Sequence, residues 1–173
     1  VFHDGKFAGT FQFTQKGAQD FCKRAKPTSI KEISNVTAIF RPGPLIEGVD
    51  KLYVAAKKEP EKIKYIHPLA KEGLEDTYGY LIYQEQIALL AHKLGKNISL
   101  DEGNVLRKLL TKKGTGKGAK ETAKIHDKFM KGCLEKNIPN KAAEKLWSTM
   151  VAFAQYGFNL HHSICYSVIS YQC

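Results

Sequence analysis

The chain has 173 residues, 43% of them hydrophobic, and Lys and Arg outnumber Asp and Glu by 27 to 17 for a net charge of +10. It is long enough for one sizeable domain or two small ones, and too apolar to be generally disordered. No apolar run reaches the ~18 residues of a membrane span, and no amphipathic stretch pairs a strongly apolar face with bulky anchors and basic rims. The charge therefore points to a nucleic acid or nucleotide rather than a membrane.

The elements follow from periodicity and punctuation. The first thirteen residues are turn-rich, and GTFQF at Gly9 to Phe13 predicts a short strand or extended segment. Residues 16–26 read as a helix that buries Ala18, Phe21, Cys22 and Ala25 and stops at Pro27. Ser29 and Glu32 form a capping-box pattern. The helix they open carries Ile30, Ile33, Val36, Thr37 and Phe40 on one side, and Arg41-Pro42-Gly43-Pro44 ends it.

Residues 46–58 and 80–94 are further helices, separated by a loop that holds Pro60, Pro68 and Gly79. Leu81, Ile82, Ile87, Leu89, Leu90 and Leu94 face the second of them, and Gly95 is placed to close it. Ser99 to Glu102 repeats the capping pattern ahead of Val105, Leu106, Leu109 and Leu110. Alternating charge from Ala119 to Lys136 predicts a long surface helix with Ile125, Phe129 and Cys133 facing in, broken at Asn137 to Pro139. Residues 142–156 follow, with Leu146, Met150, Val151 and Phe153 inside, and residues 162–172 make the last helix. About seven helices and almost no strand pairing make the chain mostly α, without internal repeats, and the one candidate inner linker is residues 56–77.

Four scattered cysteines, Cys22, Cys133, Cys165 and Cys173, form no CxxC pair and follow no secretory signal, which predicts reduced thiols in a cytosolic protein. The sequons at Asn35 and Asn97 are then chance matches.

The chemistry concentrates in LRKLLTKKGTGKGAK at Leu106 to Lys120. It gathers Arg107, Lys108, Lys112, Lys113, Lys117 and Lys120, with Lys124 just beyond and no acid before Glu121. Glycines let backbone N–H groups approach a ligand closely, and uncompensated cations suit phosphate. Plainer roles compete: a solvated basic loop, or Lys112 and Lys113 offsetting the partial negative charge of a helix C-terminus. The GxxxxGK[ST] phosphate loop is absent, since Gly116-Lys117 is followed by Gly118, which excludes a Walker-type ATPase.

His161, His162 and Cys165 supply at most three metal ligands, and the fourth would have to come from distant Cys133 or His126. A histidine near a helix start can instead donate to a phosphate or cap the helix. No carboxylates are paired to hold two divalent metals: Asp101 and Glu102 suit a helix start, Glu47 and Asp50 a surface face, Glu75 and Asp76 a loop. Nucleotidyl transfer needs such acids, so the chain alone is expected to be chemically silent.

Read together, GTFQF, KPTSIKEI from Lys26, RPGPL at Arg41, HPL at His67, TYGYLIYQEQI from Thr77, LRKLLTKK from Leu106 and FAQYGFNLHHSICYSVISYQ from Phe153 come in the order and spacing of one family. The chain resembles the fingers region of bacterial C-family replicative DNA polymerases, the DNA polymerase III alpha subunits, over essentially its whole length. The resemblance implies a mostly α, multi-helix fingers domain over residues 1–173, a fragment of a larger chain, that closes over an incoming dNTP against a palm domain. It also implies nucleotide-binding roles for Arg107, Lys108, Lys112, Lys113, Asn159, His162 and Ser163, and DNA-binding roles for Lys117, Lys120, His161 and Tyr166. Arg41, Tyr83, Gln84 and Gln86 are expected to be structural or hinge residues.

Three departures from the family pattern stand out. Lys108 replaces the family's second arginine, keeping charge but losing the bidentate fork. Gly114 to Gly118 replace a turn that usually contains proline and glutamate, making the loop more basic and less constrained. Leu160 and His161 stand where Lys and Ser are usual, which removes one phosphate or DNA contact and leaves His161 as the nearest substitute.

The resemblance further implies Mg2+ held by palm carboxylates upstream of this chain. The implied partners are dNTP, primer-template DNA, the remaining polymerase domains and replisome subunits such as the sliding clamp. The implied setting is the cytoplasm of a bacterium or phage-infected cell, with no membrane. Val1 in place of Met, and Cys173 inside an apolar helical pattern, read as the ends of a piece. Cys173 is either a substitution at a fragment edge or the first residue of an intein, whose splicing begins with a Cys nucleophile. Two rival readings differ in class. A stand-alone basic helical module would bind DNA in a salt-dependent way without responding to triphosphate, and a helical scaffold would turn its basic face to a protein.

Overall fold

The structure is a computed structural model that describes residue 2, residues 4–111 and residues 117–173, with side chains from Gly118 onward in the last segment. Among the described residues ten α-helices succeed one another: α1 (Lys16–Ala25), α2 (Ile30–Ile39), α3 (Pro42–Ile46), α4 (Val49–Lys58), α5 (Pro68–Leu74), α6 (Gln84–Leu94), α7 (Leu100–Thr111), α8 (Lys117–Glu135), α9 (Asn140–Phe153) and α10 (Leu160–Gln172). Short 3-10 turns occupy Pro60–Lys62 and Glu75–Thr77. No described helix is long and apolar enough to cross a membrane.

The helices form two compact units. One comprises Val1–Ile63, Asp76–Ile82 and Phe158–Cys173, the other Lys64–Glu75 and Tyr83–Gly157. Two of these boundaries fall inside the stretch expected as a linker.

In the first unit α2 is the centre, in contact with α1, α4 and α10. It is buried nearly all round, including Glu32, Ser34 and Asn35, rather than along the single apolar face that its pattern predicts. Ser29 caps it, its Oγ accepting from the Glu32 N–H at 3.2 Å. Glu32 does not close the box back onto Ser29. Its carboxylate instead accepts from the N–H and hydroxyl of Thr28 at 2.6 and 2.9 Å, from Lys57 Nζ at 2.8 Å and from the Tyr78 hydroxyl at 2.6 Å. Burial alone would raise its pKa, but these four bonds stabilise the carboxylate and hold it at about 2.

Serine side chains set the approach of α10 to α2. Ser163, Ser167 and Ser170 recur at helical spacing and are buried. Ser163 Oγ donates across to the Ser34 carbonyl at 2.9 Å, and Ser167 Oγ back to the Ser163 carbonyl at 2.8 Å. Small residues let the two backbones come close, and each satisfied hydroxyl is worth ~1 kcal/mol net.

α1 buries Ala18, Phe21, Cys22 and Ala25 as its periodicity predicts. Gly9 to Phe13 is not a strand. The Thr10 N–H donates to the Phe7 carbonyl and the Phe13 N–H to the Thr10 carbonyl, successive turns that stack Phe7 on Phe13 at 5.6 Å. With no second strand to pair among the described residues, the segment satisfies part of its own backbone. Asp50 also differs from expectation, since it is buried and paired with Arg24 at 2.8 Å. Asn35 is only 2% exposed, so the folded chain has no room for a glycan there.

In the second unit α6 packs on α5, α7 and α8, and α8 on α9. α5 falls in what the sequence reads as loop. The His67 ring caps it, Nδ1 accepting from the Leu69 N–H at 3.2 Å, and Pro68 begins it. α6 starts at Gln84 rather than Tyr80, because the Gly79 turn (φ 88°) and the Thr77 hydroxyl, bonded to the Tyr80 carbonyl at 2.7 Å, hold the preceding residues out of helix.

Gly95 does end α6, but in extended conformation (φ −74°, ψ 161°) rather than the left-handed one usual for a closing glycine. Its bareness serves packing, since a Cβ at Gly95 would come 2.3 Å from Ile98 Cδ1 and 2.6 Å from the Ala91 carbonyl oxygen. Gly132 of α8 lies so near this corner that a Cβ there would come 2.2 Å from Lys96 N and 2.3 Å from Gly95 C. Gly103 of α7 likewise lies against Ala88 of α6, its Cβ position 2.5 Å from the Ala88 carbonyl oxygen. α8 turns Ile125, Phe129 and Cys133 inward as expected. On α9 the buried face is Ala143, Trp147, Met150 and Phe153, while Val151 is 36% exposed, so that face is rotated from the expected one.

Candidate functional site

α7 delivers Arg107 and Lys108 at its C-terminal end. Lys108 is exposed and Arg107 half-buried. Arg107 Nη1 donates to Gln84 Oε1 at 3.3 Å, and Gln84 Nε2 donates in turn to the Gly157 carbonyl at 3.0 Å. Arg107 Nε is buried and meets no hydrogen-bond partner among the described residues. An arginine stays charged and carries five donors in a fixed fork, and a buried donor left unpaired costs ~1–3 kcal/mol.

Lys120 and Lys124 are exposed on α8, one turn apart. Lys112 and Lys113 and the side chain of Lys117, expected to bind nucleotide and DNA, lie outside the described residues. A cavity of about 540 Å³ adjoins the same end of α7, lined by Leu109, Leu110, Ala119, Trp147 and Val151, with His126 and Gln155. Gln155 is engaged with the Leu110 carbonyl at 2.9 Å, so this largely apolar hollow has little with which to hold phosphate.

In the first unit the start of α10 forms a second group. Asn159 caps the helix, Oδ1 accepting from the His162 N–H at 3.0 Å. The exposed His162 ring lies 4.1 Å from the ring of Tyr166 and 5.5 Å from that of Phe158. Tyr166 stacks on Phe11 at 5.1 Å. Arg41 lies over Phe158 at 4.6 Å, Nη1 is buried and meets no hydrogen-bond partner among the described residues, and burial lowers its pKa. His161 is exposed beside them.

Ser163 differs from the other residues expected to bind nucleotide. It is fully buried, and its hydroxyl is committed to Ser34. Gln86 ties the start of α6 to α5: Oε1 accepts from the Tyr83 N–H at 2.9 Å, and Nε2 donates to the Gly73 carbonyl at 3.0 Å. Nothing in the sequence marks Gln84 as the neighbour of an arginine 23 positions away, nor Arg41 as a partner of the Phe158–His162 rings.

No group of three or more His, Cys, Asp or Glu among the described residues is placed to hold a metal ion.

The family described as the bacterial DNA polymerase III alpha subunit finger domain matches residues 1–137. The chain belongs to that family. Among proteins similar to this finger domain, DNA polymerase III subunit alpha of Aquifex aeolicus is 36% identical over 171 residues, 99% of this chain and 14% of that protein. The same subunit of Treponema pallidum is 36% identical over 172 residues, 98% and 14%. That of Rickettsia felis is 39% identical over 168 residues, 97% and 13%. The chain thus spans about one seventh of these relatives' length, and within them it corresponds to the finger domain.

Proposed function

We propose that residues 1–173 act as the fingers of a DNA-directed DNA polymerase, binding the triphosphate of the incoming dNTP and the primer-template. Arg107, with Lys108, Lys112 and Lys113, neutralises the triphosphate. The observation that supports this reading is the half-buried Arg107 guanidinium at the end of α7, held through Nη1 by Gln84 in the most basic stretch of the chain. A fixed, charged fork matches phosphate.

Asn159 and His162 add nucleotide contacts, and His161, Tyr166, Lys117 and Lys120 contact DNA. Ser163 supports α10 from behind, because its hydroxyl is spent on Ser34. Mg2+ and its carboxylate ligands belong to a palm outside this chain, as do the contacts to the sliding clamp, all within the bacterial or phage-infected cytoplasm.

Steady-state primer extension by a polymerase carrying this chain tests the assignment. Arg107→Ala should raise the nucleotide KM about tenfold or more, the cost of losing a charge-assisted contact, while primer-template affinity changes little. An unchanged KM sinks the role. A stand-alone nucleic-acid-binding module would instead lose DNA affinity with the substitution and show no response to triphosphate.

A further inference from the structure

Gln84 sits between two fixed partners. Its Nε2 donates to the Gly157 carbonyl at 3.0 Å, and this bond decides which way the amide faces. With the NH2 engaged there, Oε1 is presented to Arg107 Nη1 at 3.3 Å. Gly157 makes the arrangement possible, since a Cβ at that position would meet Phe153 Cε1 at 2.7 Å and Gln84 Cγ at 3.0 Å. Phe153 is itself buried at 4% exposure, so the far wall cannot yield. The acceptor offered to the guanidinium is therefore neutral, rigid and oriented by backbone.

The charge type matters more than the bond itself. A carboxylate in the same place would hold Arg107 more tightly but cancel its charge against an incoming anion. An amide fixes the guanidinium and leaves the full positive charge available. Nε of the same guanidinium is buried and meets no hydrogen-bond partner among the described residues.

We propose that Gln84 is a positioning residue for Arg107: oriented by the Gly157 carbonyl, its amide oxygen sets the guanidinium to receive a polyphosphate without neutralising it. This rests on the reading of Arg107 as a triphosphate-binding group. Gln84 touches no ligand and acts only through Arg107.

The test uses a polymerase carrying this chain, with inorganic tripolyphosphate and, separately, dATP as probes, and compares wild type with Arg107→Ala, Gln84→Met and Gln84→Glu. Gln84→Met keeps the length of the side chain without its hydrogen bonds and should weaken binding about tenfold, on the order of one well-made charged hydrogen bond. Gln84→Glu should weaken it at least as much at pH 8. The ratio of its Kd to the wild-type value at the same pH should then fall as the solution is acidified through the carboxyl's titration, because a neutral acid again offers one acceptor and one donor. A purely structural role predicts no such pH-dependent ratio. In the Arg107→Ala background Gln84→Met should have no further effect.

Folding is checked by circular dichroism, and the Arg107 Nε–H resonance should shift in Gln84→Met without ligand. Absence of wild-type binding at millimolar probe, or an Arg107→Ala variant that binds like wild type, overturns the Arg107 reading and this proposal with it. If Arg107→Ala weakens binding while folded Gln84→Met and Gln84→Glu do not, the positioning role alone is overturned.

Discussion

Glu32→Gln probes the most connected buried charge in the molecule. The wild-type carboxylate accepts from Thr28 twice, from Lys57 and from Tyr78, and the Glu32 and Lys57 side chains are only 11% and 17% exposed. The carboxyl titrates at about 2 in the fold against 4.5 when free. Those values lie about 2.5 pH units apart, and at ~1.36 kcal/mol each the ionised, hydrogen-bonded form contributes about 3 kcal/mol.

The folded pKa is depressed, so this stability is fully present above pH 4.5 and drains away as pH falls toward 2. Glutamine has no proton to take up, and it leaves the Lys57 ammonium half-buried opposite a neutral amide. The variant should be about 3 kcal/mol less stable at pH 7, in the range for breaking a buried ion pair. It should also lack the acid-limb slope attributable to this residue. Urea unfolding followed by far-UV circular dichroism at intervals from pH 7 to pH 2 gives both quantities. Stability curves for the two proteins that run parallel through the acid limb would refute the account of Glu32 as an ionised hub.

Gly132→Ala should cost about 3 kcal/mol, since the new methyl meets the backbone at Lys96 and Gly95 and overpacking against atoms that cannot move lies at the severe end of such changes. In the same helix Gly118→Ala meets, among the described residues, only Leu109 Cδ2 at 3.4 Å and should be neutral or stabilise by up to ~1 kcal/mol; thermal melts that rank the two in the opposite order contradict the packing described for α6 and α8. Burial pushes the Cys22 and Cys133 thiols up to about 12 and about 11, while Cys165 and Cys173 are exposed. An alkylating reagent at pH 8 should therefore modify Cys165 and Cys173 alone, and peptide mapping that finds native Cys22 or Cys133 labelled at a comparable rate refutes their burial.

What was legible in the chain was whatever is decided within a few residues. The inward faces of α1 and α8 follow from 3.6-residue periodicity, the stop at Pro27 from proline sterics, and the caps at Ser29 and Ser99 from a hydroxyl within reach of the third N–H, with Ser99 Oγ accepting from the Glu102 N–H at 3.1 Å. α5 was not legible, because at seven residues it is too short to show a period and its cap is a histidine, which is an uncommon signal. The phase of α9 was not legible either. Both Trp147 and Val151 are apolar, and only the presence of Phe129, 5.4 Å from Trp147, decides which is covered.

The site divides in the same way. The basic run at Leu106 to Lys120 and its taste for phosphate are properties of composition, and the order of short motifs from Gly9 to Gln172 carried the family. By itself the sequence thus determined the helical class, most of the helices, the net positive charge and the kinship. Only the tertiary structure decided that Ser163 is buried, that Asp50 is paired, that Arg41 lies over Phe158 and that Gln84 holds Arg107. Each of these joins groups far apart along the chain. Local propensity carries no information about such partners, and their energies arise only when packing removes water from both at once.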